Sequence, residues 1–277
     1  VWHSLIADNL SLIIGKDSTT YELEVNPLQH ARYPSFIGER NMLLYQSQDK
    51  YHHYISMFYR QDSFKENILS DVSELIHPTM SSNGKWLAYT EGDQEHSETD
   101  VMLENFEQGK GWRINDDNHY AAIPSFSKNG NKLTFPYWKK SAASCNTIAI
   151  YDIEKGLIET IFKEQGECWR PIFNNDDSKL YYIHKEKHFV IKSYDLKTKS
   201  KKVVLKTNYD IWDIAISPSG KYIVYAGNKD GNWDLFSYSL ESKKVKQLTK
   251  TLGNEWDAAF GNDDNDIWFA GVFGFFD

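Results

Sequence analysis

The sequence lacks the short motifs that mark many nucleophilic and nucleotide-dependent enzymes. It has no Gly-x-Ser-x-Gly elbow and no glycine-rich loop of the kind that cradles phosphate, and its two cysteines belong to no recognisable Cys/His catalytic signature. Helical periodicity of useful length is also missing. These absences argue against a hydrolase with a serine or cysteine nucleophile and against a P-loop protein, and they leave an all-β chain as the best interpretation.

Long apolar runs are absent as well. With 15% aromatic residues, 25% charged residues and a formal charge of −8, the 277 residues are too apolar for a disordered chain and too polar for a membrane span. The chain begins with Val1 and shows no apolar leader, so we expect it to be a mature or excised part of a longer protein.

The sequence has instead a repeat of about 45 residues. A short β-like segment that ends in an apolar residue recurs six times, at residues 33–36, 77–80, 123–126, 170–173, 213–216 and 257–260. The final residues of these segments are separated by 44, 46, 47, 43 and 44 positions. Repeats of this length are typical of the blades of a propeller.

Each segment is followed by a polar turn and an aromatic-rich strand. Gly84, Gly130 and Gly220 stand where a tight hairpin needs positive φ, and alternating apolar residues follow them. Two further strands follow in each unit, which makes four strands per repeat. We therefore predict a single all-β domain over residues 1–277, a six-bladed β-propeller of four-stranded blades.

The two ends of the chain are predicted to share the last blade. Leu10, Leu23 and Phe36 follow one another at the 13-residue spacing that also separates Leu235 from Leu248. Residues 9–14 and 21–25 are therefore interpreted as strands three and four of that blade, and residues 257–273 as its first two strands. Pairing the two ends in one sheet would close the ring.

Three phrases resemble the repeat of TolB-type propellers, also called the WD40-like or PD40 repeat. They are ISPSGKYIVY at 216–225, DGNWDLF at 230–236 and QLT at 247–249, with Ser219 where the family usually has Asp. The family includes periplasmic scaffold proteins, sensor domains of membrane-bound regulators, peptidase accessory domains and oligosaccharide lyases. The resemblance implies a non-catalytic binding, sensing or scaffold module in the periplasm or another extracytoplasmic compartment.

Two other functions stay open beside this one. The chain could be the periplasmic portion of a membrane-anchored regulator, or a metal-dependent lyase or hydrolase that acts on oligosaccharides. Neither the ligand nor the biological process follows from the repeat.

The predicted site lies where the first strands of the blades converge on a central channel. Its mouth is on the top face, defined as the face that carries the connections into strand one and those between strands two and three. The candidate ligand-binding residues are Arg32, Tyr33, His77, Trp169, Arg170, Trp212, Asp213, Trp256 and Asp257. The arginines would hold carboxylates, the aspartates would accept hydrogen bonds and the tryptophans would offer stacking surface.

These residues also have a structural interpretation. The three tryptophans recur at blade spacing, so they could wedge between blades as part of the core. Arg170, Asp213 and Asp257 could form a mutual ion-pair network along a wet channel.

Histidines supply the enzymatic alternative. His30, His77 and His119 precede first strands and His53 lies in a top loop, so together they could hold a divalent transition metal. Metal-dependent oligogalacturonate lyases, which resemble this repeat family, use histidines on a propeller in that manner. No compact ligand spacing is present, so solvated loop histidines are the simpler interpretation, and we predict no metal and no other cofactor.

The two cysteines are predicted to be neighbours on the top face. Cys145 falls in the connection between strands two and three of the third blade, and Cys168 in the connection that leads into the fourth. A disulfide between them would indicate an oxidising compartment. Two reduced, partly buried thiols in a cytosolic protein are the alternative.

Lysines cluster on the outer strands of the fourth and fifth blades, for example Lys201, Lys202, Lys243 and Lys244. In an acidic chain they would keep exposed strand edges soluble rather than bind nucleic acid. The predicted partner is therefore a protein, a peptide or a small molecule at the channel mouth.

Overall fold

The computed structural model describes residues 10–16, 19–23, 31–37, 40–59, 64–93, 98–250 and 253–272. None of these residues belongs to a helix long and apolar enough to cross a membrane. In chain order the strands are β1 (Leu10–Lys16), β2 (Thr19–Leu23), β3 (Arg32–Ile37), β4 (Met42–Gln48), β5 (His53–Tyr59), β6 (Phe64–Asp71), β7 (Leu75–Met80), β8 (Trp86–Asp93), β9 (Glu98–Asn105), β10 (Lys110–Arg113), β11 (His119–Ala121), β12 (Ser125–Phe126), β13 (Lys132–Lys139), β14 (Thr147–Asp152), β15 (Leu157–Lys163), β16 (Cys168–Phe173), β17 (Lys179–Lys185), β18 (Phe189–Asp195), β19 (Lys201–Lys206), β20 (Ile211–Ile216), β21 (Tyr222–Gly227), β22 (Asp234–Ser239), β23 (Val245–Gln247), β24 (Asn254–Phe260) and β25 (Ile267–Val272).

The strands form antiparallel sheets of the kind expected for propeller blades. Five sheets have four strands each, in the orders β3-β4-β5-β6, β7-β8-β9-β10, β16-β17-β18-β19, β20-β21-β22-β23 and β24-β25-β1-β2. One further sheet has the order β11-β13-β14-β15, and β12 also pairs with β13. We number the sheets one to six by their inner strands, β3, β7, β11/β12, β16, β20 and β24. The predicted propeller with four-stranded antiparallel blades is confirmed.

The predicted count of six four-stranded blades is not confirmed, because five complete four-stranded blades are present and sheet three differs. Its inner strand is split after Ala121 and resumes at Ser125. Pro136 of β13 lies opposite the break. Its carbonyl accepts from the Ala122 N–H at 3.4 Å, but proline has no N–H to donate back. The N–H of Ile123 bonds instead to Thr90 Oγ1 of sheet two at 2.8 Å, so the ladder stays open at this point.

Strands from both ends of the described chain meet in sheet six. β1 pairs with β25 from Leu10 opposite Val272 to Gly15 opposite Ile267, and β24 lies on the other side of β25. The inner strands touch in sequence, from β3 to β7, β12, β16, β20 and β24, and β24 touches β3. Because the inner strands contact one another in a closed sequence, the first residues of the six repeat segments lie around a common axis.

The core is divided into apolar clusters that lie between neighbouring sheets. Between sheets one and two, for example, Leu44 and Ile55 pack with Leu75 and Leu87. Between sheets six and one, the fully buried Trp268 lies against Phe36 and Phe58, with ring centroids 6.1 and 6.4 Å apart. Each sheet buries both faces in this way, which explains the apolar and aromatic strands of every repeat.

Hydrogen bonds also join the turns between first and second strands, from each sheet to the next, on the face opposite the top. The links are Arg40 Nη2 to Asn83 O at 3.0 Å, Ser82 Oγ to Lys128 O at 3.2 Å, Lys128 N and Asn129 N to Asp177 at 2.7 and 3.2 Å, Asn175 Nδ2 to Pro218 O at 2.6 Å, Ser219 N to Asp264 Oδ1 at 3.0 Å and Asn262 Nδ2 to Asn41 Oδ1 at 2.9 Å. They form a continuous cycle of inter-sheet contacts.

The glycine-containing turns have the predicted backbone. Gly84, Gly130 and Gly220 have φ values of 72°, 74° and 72°. At Gly84 the missing side chain also matters, because an added Cβ would lie 2.2 Å from Cζ of Arg40, the residue that links this turn to sheet one. Glycine therefore suits this turn by its φ and leaves room for the Arg40 guanidinium.

Removing one inter-sheet link should weaken the fold measurably. Asp177 has φ 56°, so Asp177→Gly keeps this conformation accessible while deleting the acceptor for two backbone N–H groups. We expect the free energy of unfolding in urea to fall by about 1–2 kcal/mol beyond the effect of glycine itself. The matched control is Lys199→Gly, at φ 60° in an exposed turn of the same sheet. Equal losses in the two variants would show that the inter-sheet bonds contribute nothing.

Candidate functional site

Each inner strand is interrupted at the same place, just where it reaches the axis. The pairing with the second strand skips residues there in all of the sheets with continuous inner strands, as between Arg32 and Ser35 or between Trp169 and Ile172. Five residues at the interruption have left-handed backbones, with φ of 54°, 51°, 52°, 51° and 53° at Tyr33, His77, Ile123, Arg170 and Asp257. These five and Asp213 all line one central cavity.

A buried carboxylate ties the charged residues of this ring together. Asp257 Oδ2 accepts from Nε and Nη2 of Arg32 at 3.1 and 3.0 Å, and Oδ1 accepts from Nη2 of Arg170 at 3.2 Å. The Asp257 side chain is 1% exposed, against 31% for Arg32 and 16% for Arg170. Burial acts to lower the pKa of Arg32, but the charge and hydrogen bond of Asp257, together with the charges of Tyr33 and Asp213, outweigh it and the pKa rises. The predicted ion pair of Arg170 with Asp257 is therefore present, and Arg32, which the ion-pair interpretation did not include, joins it.

Asp213 belongs to the ring but does not join an ion pair within hydrogen-bonding distance among the described residues. Its Oδ1 accepts from the backbone N–H of Ala226 at 3.0 Å and its Oδ2 from that of Ala258 at 2.7 Å, so it links sheets five and six. Burial, followed by the charge of Asp257, raises the pKa of Asp213 to about 6, against the opposing effect of Arg170. The Asp213 carboxyl therefore keeps its proton to a higher pH than an ordinary aspartate.

Tyr33 and His77 fill the opposite side of the ring. Their ring centroids are 4.0 Å apart, and the guanidinium groups of Arg32 and Arg170 lie 4.6 and 5.8 Å from the centre of the Tyr33 ring. Burial and the two nearby arginines lower the pKa of His77 well below its ordinary value, so the imidazole is neutral. Its Nδ1 is buried and has no hydrogen-bond partner within the described part of the chain.

The ring of side chains separates two cavities along the axis. The lower cavity, of about 630 Å³, extends from the ring to the linked turns and is lined by small polar residues such as Ser35, Thr79 and Ser125. The top cavity, of about 600 Å³, lies above sheets two to five. His77, Ile123 and Arg170 line both cavities, so they form the partition between them.

The predicted tryptophans occupy two different environments. Trp169 and Trp212 line the top cavity in an edge-to-face contact with centroids 6.1 Å apart, and Trp169 Nε1 donates to the Trp212 carbonyl at 3.2 Å. Trp212 is 41% exposed. Trp256 packs against the apolar cluster between sheets five and six, with Arg32 5.4 Å above its ring. The wedge interpretation therefore fits Trp256, and an open stacking surface fits Trp212.

Sequence reasoning missed the wall of the top cavity that sheet three supplies. Tyr120 and Trp138 face each other with centroids 5.8 Å apart, and the Lys140 ammonium lies 4.8 Å from the centre of the Tyr120 ring. These residues do not recur in the repeat, which is why the pattern did not single them out. Their one sequence signal is their position, since Trp138 and Lys140 precede Cys145 in a predicted top loop.

The structure does not bring the candidate metal ligands together. His119 stacks on Tyr137 at 4.4 Å and its Nδ1 lies 2.8 Å from Asp116 Oδ1, whereas His77 is in the central ring and His53 begins β5. His30 lies outside the described residues. Across the described ranges, no three His, Cys, Asp or Glu side chains are grouped as a metal site.

The two cysteines are neighbours, as the sequence predicts. The Cys168 N–H donates to the Cys145 carbonyl at 2.9 Å, and Cys145 Sγ lies 3.3 Å from the Cys168 carbonyl oxygen. Both are free thiols in this structure, with Cys168 buried and Cys145 partly exposed on the wall of the top cavity. The disulfide itself stays a prediction.

Comparison with known proteins supports the fold. No protein-family model and no curated protein sequence matches the chain. TolB from Acinetobacter baumannii is similar in structure, with a TM-score of 0.67 and 13% identity over 95% of this chain and 63% of that chain. A putative TolB from Agrobacterium tumefaciens gives a TM-score of 0.77 and 15% identity over 96% of this chain and 99% of that one. The present chain thus spans under two thirds of the first and nearly all of the second.

An enzyme shares the same architecture. An oligogalacturonate lyase in complex with manganese gives a TM-score of 0.63 and 13% identity over 87% of this chain and 72% of that chain. At such identities the likeness establishes a TolB-like propeller fold and nothing about activity.

The ion pairs of Asp257 with Arg32 and Arg170 should contribute strongly to the stability of the fold. Asp257→Asn keeps the size of the side chain and a residue that tolerates positive φ, but leaves Arg32 and Arg170 without their anion. We expect the free energy of unfolding to fall by about 3 kcal/mol. Glu186→Gln is the control, because Glu186 also meets two cations, Lys192 at 3.6 Å and Lys206 at 3.1 Å, but on the surface. A change below about 1 kcal/mol in both variants would contradict the assignment.

Two buried groups should give opposing pH dependences of stability. Asp213 holds its proton more tightly when folded, so its stabilising contribution is complete below about pH 4 and is lost as the pH rises through about 6. His77 holds its proton less tightly when folded, so its contribution is complete above about pH 6.5 and is lost on acidification. The two trends offset each other in the wild type.

Single variants should expose each trend in urea unfolding measured between about pH 4 and pH 7. Asp213→Asn leaves the His77 effect alone, so the variant loses stability on acidification more steeply than the wild type. Asparagine suits the φ of 51° at position 77. The free energy of unfolding of His77→Asn should therefore rise relative to that of the wild type as the pH falls. A pH-independent difference between the wild type and Asp213→Asn would show that Asp213 does not titrate near pH 6.

Proposed function

We propose that this protein is a non-catalytic binding module whose ligand occupies the top cavity. The observation that carries the proposal is the composition of that cavity. Four aromatic side chains, Tyr120, Trp138, Trp169 and Trp212, surround a floor that contains Arg170 and His77. A concave aromatic surface with a few convergent polar groups is typical of a ligand site.

The charges of the cavity favour a ligand that carries a carboxylate. Glu167 is paired with Lys185 at 3.2 Å and Arg170 with Asp257, whereas Lys140 makes no ion pair among the described residues. Lys140 therefore supplies the one lining charge not offset by an ion pair, and Arg170 retains donors on the cavity floor. The proposed ligand is a peptide, a protein segment or a small molecule that combines an aromatic or apolar group with a carboxylate.

This site replaces the axial mouth predicted from the repeat. Arg32, Asp213 and Asp257 are proposed to hold the inner ends of the sheets in place, while Trp169, Trp212 and the partition residues His77 and Arg170 face the ligand. Tyr33 packs against His77 from sheet one, and Trp256 packs in the apolar cluster between sheets five and six.

The wider setting is also a proposal. We propose that residues 1–277 form one domain, in which sheet three serves as the sixth blade and sheet six closes the ring. We further propose an extracytoplasmic scaffold or sensor role, including that of the periplasmic portion of a membrane-anchored regulator. The similarity to TolB structures and the adjacent cysteines support this setting.

A metal-dependent oligosaccharide lyase is the second candidate. The similarity to a manganese-bound oligogalacturonate lyase supports it at the level of fold. The binding module is better supported, because its site is assembled in the described residues whereas the candidate histidines point to different environments.

The cavity can be tested with a minimal ligand. N-acetyl-Phe-Phe with a free carboxylate should quench or shift the fluorescence of the cavity tryptophans, and its carboxyl-terminal amide should bind about ten-fold more weakly. Trp212→Ala should also weaken binding by about ten-fold, since it removes an exposed stacking face but keeps the carbonyl that Trp169 uses. Lys140→Ala should abolish the preference for the free acid over the amide.

Trp112→Ala is the matched control. Trp112 is 39% exposed on the outer strand of sheet two, away from the cavity. Its loss should leave peptide affinity unchanged. Equal affinities for the acid and the amide, or equal effects of the two tryptophan variants, would contradict the proposed site.

A further inference from the structure

One wall of the top cavity is built from the segment that contains Cys145. Lys140, Ala142, Ala143, Ser144 and Cys145 all line the cavity. Backbone hydrogen bonds anchor this segment at its two ends, from Lys140 N to Asn118 O at 2.9 Å and from Glu164 N to Asn146 O at 2.7 Å. Between these anchors the Cys168 N–H to Cys145 carbonyl bond joins the segment to β16.

β16 carries the facing wall and the floor. Cys168 is followed directly by Trp169 and Arg170, both of which line the cavity. Cys168 is itself fully buried, whereas Cys145 is partly exposed to the cavity. The Cys145 sulfur lies 3.3 Å from the Cys168 carbonyl oxygen, so the two cysteines adjoin at the junction of two cavity walls. Proximity to Cys145, together with burial, raises the pKa of the Cys168 thiol.

We propose that Cys145 and Cys168 are a reversible dithiol–disulfide site whose oxidation fixes the wall of the top cavity. The accessible Cys145 reacts first. Its thiolate attacks a low-molecular-weight disulfide such as oxidised glutathione, which forms a mixed disulfide and releases one glutathione thiolate. Cys168 then loses its proton and attacks the Cys145 sulfur, which forms the internal disulfide and releases the second glutathione. Two protein thiols are oxidised and one glutathione disulfide is reduced to two thiols.

The consequence for ligand binding follows from the position of the bond. A disulfide holds two sulfurs closer than a contact between thiols, so oxidation draws residues 140–146 onto β16 and removes freedom from both walls. A ligand then has to order less of the cavity wall when it binds, so the entropy cost of binding is smaller. Peptide affinity should rise on oxidation, a consequence that rests on the proposed function.

The redox step is tested on the full chain by intact-mass measurement. Oxidised glutathione should remove two hydrogens from the wild type, and dithiothreitol should restore them. Cys168→Ser should stop at a glutathione adduct on Cys145, and Cys145→Ser should acquire no adduct on the buried Cys168. A wild type that keeps its glutathione adduct, forms disulfide-linked dimers or retains both thiols would overturn the proposal.

The effect on the cavity is tested by the affinity of N-acetyl-Phe-Phe for the reduced and the oxidised wild type. We expect oxidation to tighten binding by about three-fold. Unchanged or weaker binding by a protein that does form the disulfide would overturn the regulatory part and leave the proposed function intact. If the peptide binds neither form, the proposed function and the regulatory part both fail, while the mass measurement still decides the oxidation site.

Discussion

The fold of the axial region depends on the buried Asp257 carboxylate. Through Arg32 and Arg170 it joins sheets six, one and four, which no single stretch of chain could bring together. A buried anion is tolerated only with partners, so the three inner strands must reach the axis at matching depth. Asp213 adds a second fixed point by receiving backbone donors from sheets five and six. The two carboxyl groups thus join the inner ends of sheets one, four, five and six.

The backbone of the inner strands is strained at the repeated positions where these strands converge on the axis. Left-handed φ values are uncommon for residues such as Ile123 and Tyr33, yet the interruption recurs in each inner strand. Three of the residues with this backbone, His77, Ile123 and Arg170, form the partition between the two cavities. Strain at this place is therefore linked to the shape of the candidate site rather than to the stability of individual sheets.

The candidate site lies to one side of the axis, beside a charged ring in which Asp213 and Asp257 already accept hydrogen bonds from other parts of the protein. The residues left open are aromatic or weakly paired, and they belong to sheets two to five. Sheet three contributes most of the wall, and it is also the sheet whose inner strand is split. The cysteine pair lies on the boundary between that sheet and the next, where a covalent bond would change the cavity without disturbing the ring of ion pairs.

The repeat, the alternating apolar strands, the positive-φ turns and the proximity of Cys145 and Cys168 could all be predicted from the sequence, because these features depend on local periodicity and on counting along the chain. Which polar groups pair with one another depends instead on how the sheets pack. Arg32 and Asp257 are far apart in sequence, so their bond depends on how deeply two bulged strands approach the axis. The same holds for Tyr120, Trp138 and Lys140, since a cavity wall is formed by the packing of non-repeated loops, which periodicity does not encode.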